Sequence, residues 1–215
     1  MLAYWPTPQS MWSDDDLLRA WRAGNRTAGD ALVRRHYESV RRFFDLRLPA
    51  MAEDLTQLSF LACVEGRERV RLDAGFRPYL FGVARRLLFR QLRSQDRFDR
   101  MARFRTSQGP DTKLTPSGVV ALRQEHKLLL RAFEAIPTDA QIALQLHYWE
   151  GMNTNEIGAV LGLSITAVTS RLSRARQRLR DEVEAIRVRP EVRASLLGDL
   201  DGWTRSLVPG AKPIA

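Results

Sequence analysis

Arg171, Arg174, Arg176, Arg178 and Arg180 crowd one short stretch of the chain, with Asp181 the only acid among them. A guanidinium is a planar fork of donors that matches a phosphate or the paired acceptors on a guanine edge. Thr166, Thr169, Ser170 and Ser173 stand among the first of these arginines, and side chains that short let a helix approach base pairs closely. The chemistry such a set can do is noncovalent reading of duplex nucleic acid: Thr166, Thr169, Ser170, Arg171, Ser173 and Arg174 toward the groove, Arg176, Arg178 and Arg180 toward phosphates.

A helix must carry these residues, and the flanking sequence supplies one. In NTNEIGAVLGLSITAVTSRLSRARQRLR, residues 153–180, Asn153 followed by Glu156 has the spacing of a capping box at a helix start. Gly162 closes the apolar run Ile157, Val160 and Leu161, and glycine suits a left-handed C-cap. Ser164 then caps a second helix, in which Val168, Leu172, Ala175, Leu179, Val183 and Ile186 recur every three or four residues as one apolar stripe. Two short helices about a tight turn, the second basic, make a helix-turn-helix.

A second basic group lies upstream. FRPYLFGVARRLLFRQLR starts a helix near Arg77 and Pro78, proline being favoured in a first turn, and the helix continues past Arg97. Phe76, Tyr79 and Phe81 alternate with Arg77, Arg85, Arg86, Arg90 and Arg93, and the charged loop before it, GRERVRLDAG, adds Arg67, Arg69 and Arg71. Rings that stack on bases beside arginines that hold phosphates suit single-stranded or melted nucleic acid.

The net charge of +9, from 34 Lys and Arg against 25 Asp and Glu, favours a polyanionic partner. One cysteine, Cys63, excludes an internal disulfide and reads as a buried thiol in a reducing, cytoplasmic compartment. His36, His126 and His147 lack ligand-spaced companions, so neither a metal nor another cofactor is expected. No apolar run nears the roughly 18 residues that span a bilayer, and the N-terminus lacks the features of a signal peptide, so no membrane insertion is expected. No nucleophile elbow, phosphate-cradling glycine loop or catalytic pair of carboxylates is present, and the chain does not read as an enzyme.

Periodicity gives an all-α chain: two helical domains joined by a flexible linker, the second containing the helix-turn-helix. A mobile head occupies 1–12. The first domain, 13–97, holds a helix capped by Ser13 that stops at Gly24, and another from about Thr27 to before Pro49. A third, Ala52 to Glu65, turns Leu55, Leu58, Phe60, Leu61 and Val64 toward a core and leaves Glu53, Asp54 and Gln57 as an acidic outer edge. Gly, Pro, Ser and Thr make 98–118 a linker. In 119–186 helices from Val119 to Ile136 and from Thr138 to Trp149 complete a four-helix unit. The extension 187–215 carries one apolar cluster, Leu196, Leu197, Leu200, Trp203 and Leu207, fit either to fold back or to dock on a partner.

These motifs, in this order, resemble the sigma-70 family of RNA polymerase sigma factors, with the extracytoplasmic-function (ECF) class the nearest match over about 13–186. AEDLTQLSF resembles the polymerase-binding helix, FRPYLFGVARRLLFRQLR the minus-10 and promoter-melting element, and residues 136–180 the minus-35 domain. The resemblance implies core RNA polymerase and promoter DNA as partners and leaves room for an anti-sigma factor. It implies polymerase contacts from Glu53, Asp54 and Gln57, and minus-10 and melting contacts from Arg67, Arg69, Arg71, Phe76, Arg77, Tyr79, Arg85, Arg86, Arg90 and Arg93. Reading of the minus-35 duplex falls to Thr166, Thr169, Ser170, Arg171, Ser173, Arg174, Arg176 and Arg178. The sequence departs from the family's usual aspartate at Met51, tryptophan at Tyr79, asparagine at Arg86 and Gly-Thr at Thr166 and Ala167. The alternative is a two-domain helix-turn-helix regulator that does not bind polymerase as a sigma subunit; its first domain would usually show a strand pattern or a pocket-forming fold.

Overall fold

The computed structural model describes residues 12–70, 75–103, 124–186 and 189–206. Every regular element among them is a helix, and the chain divides into two compact units, Met1–Ser117 and Gly118–Ala215.

In the first unit, α1 (Asp14–Arg22) opens on a capping box in which Ser13 and Asp16 satisfy each other's backbone N–H groups. It ends through Gly24, whose φ of 95° is open to glycine and costly to other residues. Asn25 caps α2 (Arg26–Asp45), which is followed by α3 (Ala52–Gly66) and α4 (Phe76–Arg103). Phe43 of α2 stands edge-on to Phe44 and Phe81, at 5.4 and 5.7 Å, and the core around it buries Leu17, Leu32, Leu80 and Leu88.

Two expectations are corrected here. In α3 the inward residues are Ala52, Leu55, Thr56, Ser59, Phe60 and Cys63, whereas Leu58, Leu61 and Val64 are 42, 53 and 38 % exposed. Thr56 and Ser59 can be buried because each hydroxyl donates to the carbonyl four residues back, Ala52 O and Leu55 O, both at 2.7 Å. In addition, α4 runs through Arg103, so the first residues of the expected linker are helical. The remainder of that linker, 104–118, lies outside the described residues, as does all of the expected head except Trp12.

The second unit contains α5 (Gln124–Ala135), α6 (Thr138–Tyr148), α7 (Thr154–Leu161), α8 (Ile165–Ala185), α9 (Pro190–Gly198) and α10 (Leu200–Ser206). The four expected helices are therefore joined by two from the C-terminal extension, which folds back on them. Val192, Leu196 and Leu200 are buried, and the Trp149 Nε1–H donates to Thr204 O at 2.6 Å. Trp149 stacks on Phe133 at 5.2 Å in the centre of this unit. Among the described residues no helix is long and apolar enough to cross a membrane, and no group of His, Cys, Asp or Glu could hold a metal ion.

Candidate nucleic-acid interface

The turn of the helix-turn-helix is set by short-range bonds. Asn153 Oδ1 accepts from the Glu156 N–H at 3.0 Å while Glu156 Oε2 accepts from the Asn153 N–H at 2.9 Å, which starts α7. Gly162, at φ 68° and ψ 40°, ends it, and Ser164 Oγ accepts from the Ala167 N–H to start α8. A Cβ on Gly158 would come within 2.7 Å of Leu163 O, so glycine there is what lets the turn lie against α7. Val168, Leu172, Ala175, Leu179 and Val183 are all buried along one stripe of α8.

On the opposite side Thr166, Thr169, Ser170, Ser173 and Arg174 are exposed together, with Arg178 and Arg180 further along. Two arginines are held back from this surface. Arg171 pairs with Asp139 at 3.8 Å. The Arg176 Nε–H donates to Tyr148 Oη at 2.7 Å, its guanidinium lies 5.7 Å from the Tyr148 ring centroid, and Asp201 of α10 stands 3.9 Å away. Arg176, expected on phosphate, is therefore already engaged within its own unit. A residue outside the sequence expectation joins the exposed set: Ile165, 54 % exposed at the head of α8. Its signal was present, since it is the first residue after the cap and lies off the apolar stripe.

In the first unit Arg69, Tyr79, Arg86 and Arg90 converge on one pocket of about 450 Å³ between the end of α3 and the face of α4, with Glu65 and Gly66 at its edge. That volume falls within the range that takes a small ligand or a single nucleotide. Gly66 lets the Tyr79 hydroxyl lie close against α3, since a Cβ there would come 2.2 Å from Tyr79 Oη and displace it. Burial, with Cys63 nearby, raises the Tyr79 hydroxyl above its ordinary pKa of 10.0, so it remains a donor at neutral pH. Arg93 is exposed one turn beyond Arg90. Cys63 is buried, and burial pushes its thiol up to about 12, which leaves it unreactive.

The other residues expected at the minus-10 strand do not line this pocket. The Phe76 ring is 1 % exposed, edge-on to Trp21 at 6.4 Å and tilted against His36 at 5.8 Å. It is a core residue and presents no free face to a base, which corrects the expectation. Arg67 bonds Val64 O and pairs with Glu68, and Arg85 lies 4.9 Å from the Phe89 ring centroid. Arg77 is half-buried off the pocket, and Arg71 lies outside the described residues.

The acidic edge of α3 is exposed at Glu53, Asp54 and Gln57. Glu53 accepts from Gln57 Nε2 at 3.1 Å and from the Tyr37 hydroxyl, so bonds from Tyr37 and Gln57 hold its carboxyl below the ordinary value. Leu58, Leu61 and Val64 continue this face, giving an acid-edged apolar strip that periodicity alone had turned inward.

Two family models match the chain, Sigma-70 region 2 over residues 31–98 and Sigma-70 region 4 over residues 126–179. The RNA polymerase sigma factor CarQ of Myxococcus xanthus is 30 % identical over 166 residues, covering 76 % of this chain and 94 % of CarQ. This chain belongs to the sigma-70 family. It falls in the ECF class and is a promoter-recognising factor of transcription initiation. The probable sigma factor RfaY of Xanthomonas campestris is 31 % identical over 164 residues, 75 % of this sigma factor, which spans only 38 % of RfaY. The ECF sigma-E factor of Escherichia coli is 22 % identical over 183 residues, covering 81 % of the chain and 96 % of its own length. Among solved structures, CnrH in complex with the cytosolic domain of CnrY matches with a TM-score of 0.59 at 26 % identity, over 80 % of this sigma factor and 97 % of CnrH. RpoE in complex with the anti-sigma factor NepR from Bartonella quintana matches with a TM-score of 0.60 over 74 % of this chain and 98 % of RpoE; at 20 % identity it speaks to the fold.

Proposed function

We propose a division of labour among three surfaces of this sigma factor. The strip formed by Glu53, Asp54, Gln57, Leu58 and Leu61 on α3 binds core RNA polymerase. The pocket of Arg69, Tyr79, Arg86 and Arg90, extended by Arg93, takes a nucleotide of the melted minus-10 strand. The exposed face of α8 reads the minus-35 duplex through Thr166, Thr169, Ser170, Ser173 and Arg174, with Ile165 against a methyl group and Arg178 on phosphate. Arg171 joins the reading when it exchanges Asp139 for DNA.

The observation that carries this reading is the pocket. Four residues chosen because rings and guanidinium groups suit unstacked bases line one cavity of the right size. Extruding a base costs a few kcal/mol in lost stacking, which ring contact and phosphate pairing there offset. No step of bond making or breaking falls to this chain, and it acts in the cytoplasm, where polymerase and promoter meet. CnrH and RpoE are each held by a partner in their solved structures, and an anti-sigma protein is a corresponding partner class here. The reading as a regulator that does not bind polymerase as a sigma subunit is disfavoured by the region 2 match.

The test is run-off transcription on genomic DNA with core polymerase, with and without this protein. New start sites sharing two spaced upstream elements are expected. Arg171→Ala combined with Arg174→Ala should remove those starts while core binding persists; starts that survive the pair would refute the assignment of α8.

A further inference from the structure

Arg22 ends α1, outside both the region 2 match and every surface assigned so far. Its guanidinium reaches across to the turn that leaves α3. Nε–H and one Nη2–H donate to Arg67 O at 2.9 and 2.8 Å, and Nη2 also faces Glu68 O at 3.4 Å and bonds Val70 O. Three of the four carbonyls from Arg67 to Val70 are therefore gathered on one side chain. The carbonyl between them belongs to Arg69, whose side chain lines the nucleotide pocket.

The platform under Arg22 is stiff. Its neighbour Trp21 packs so closely on Gly29 of α2 that a Cβ there would come within 2.6 Å of the indole, and the same ring meets Phe76 at the start of α4. On the other side of the turn Val70 is 2 % exposed. A short 3-10 turn has poor internal hydrogen bonding, and that from Arg67 to Arg69 has no side-chain cap of its own. What holds its carbonyls is a cation from a different helix, by charge-assisted bonds that are stronger than neutral ones.

We propose that Arg22 is a positioning residue for promoter opening: by gathering the carbonyls of Arg67, Glu68 and Val70 it fixes the turn that aims Arg69 into the pocket. It touches no DNA itself. The inference rests on the reading of that pocket as the site of the melted minus-10 strand. Without Arg22 the turn samples other conformations, and the pocket loses a preplaced guanidinium, so strand binding must include the ordering of Arg69.

The experiment uses the full-length protein bound to core polymerase. The probe is a labelled single-stranded oligonucleotide carrying the minus-10 sequence of a promoter mapped by run-off transcription. Affinity is measured for the parent, Arg22→Ala, Arg22→Lys, Arg69→Ala and the double variant Arg22→Ala with Arg69→Ala. Arg22→Ala should weaken strand binding about fivefold, and Arg22→Lys, which keeps the charge and some donors without the fork, should recover part of that loss. Because Arg22 acts through Arg69, the double variant should bind no more weakly than Arg69→Ala alone, a non-additivity that general loosening of the unit would not produce. Affinity for core polymerase should be unchanged throughout. Parental strand affinity in Arg22→Ala, or losses that multiply in the double variant, would overturn the proposal and leave the pocket reading standing. If Arg69→Ala itself binds the strand normally, the pocket reading falls and takes the proposal with it. Should Arg22→Ala lose helical circular dichroism, Arg22→Lys and Arg22→Gln enter the same cycle in its place.

Discussion

Asp14 shows how much one side chain can do at the start of a helix. It occupies the first turn of α1, where a negative charge suits the helix dipole, and accepts from Arg35 Nη1 at 2.7 Å and from His36 Nε2 at 2.6 Å. Burial raises its pKa, but the bonds and charges of His36 and Arg35 outweigh that and bring it down to about 2, from an ordinary 3.8. A carboxyl with a folded pKa below its unfolded one stabilises fully above the unfolded value and loses that contribution as pH falls through the folded value. Asp14→Asn should therefore cost the first unit about 1–2 kcal/mol at pH 7, allowing for partial exposure. The gap to the parent should close between about pH 4 and pH 2, as urea unfolding across a pH series would check; a gap independent of pH would mean packing, not charge, is at stake. None of this was legible in sequence, where His36 reads as a histidine without ligand-spaced companions. The pairing spans 22 residues and exists only once α1 lies on α2.

At the scale of elements, legibility followed the range of the interactions. Asn153, Glu156, Gly162 and Ser164 each act within four residues along the chain, so the ends of α7 and the start of α8 could be read from residue types. The sides of α3 could not. Leucines at 58 and 61 and hydroxyls at 56 and 59 suggest the opposite of what folds, because Thr56 and Ser59 satisfy their own hydroxyls and the leucines remain outside. An apolar strip left exposed beside carboxylates is the kind of surface that partners cover, as the proposed polymerase contact requires. Leu61→Asp and Asp54→Arg should each weaken core-polymerase affinity at least about tenfold, as buried interface positions do, with the melting temperature nearly unchanged since both residues are exposed. Fluorescence titration against core polymerase provides the check, and normal affinity in both would remove α3 from the interface.

At the scale of the molecule, the extension after α8 belongs to the body of the second unit. Trp149 is fully buried, with its indole N–H on Thr204 O, and the Tyr148 hydroxyl meets Asp201 while receiving Arg176. Burial, with the bond to Asp201, pushes that hydroxyl up to about 12, so it stays protonated. Deleting residues 190–215 removes Val192, Leu196 and Leu200 from this core and strips the cover from Trp149. The loss should be about 3–5 kcal/mol after allowance for a compact unfolded chain, a large share of what a domain this size possesses. Thermal melting followed by tryptophan fluorescence should show the second unit unfolding at least about 10 °C lower and the first unit unmoved. A melt that coincides with the parent's would show the extension to be dispensable to the fold. Arg176, freed from Asp201, would then be available to DNA.

The sequence by itself determined the all-helical class, the order of the two units, the caps and turn of the helix-turn-helix, and the residue types able to grip nucleic acid. These follow from periodicity, local hydrogen bonding and side-chain chemistry, which need no neighbour distant in the chain. Tertiary structure alone decided which of the candidates meet. It gathered Arg69, Tyr79, Arg86 and Arg90 around one pocket, sent Phe76 into the core, tied Arg176 to Tyr148, and set Arg22 under the turn that carries Arg69. An arginine or a phenylalanine suits a core, a latch or a ligand equally well by type. Only the packing of one helix on another, which fixes what each side chain faces, separates these roles.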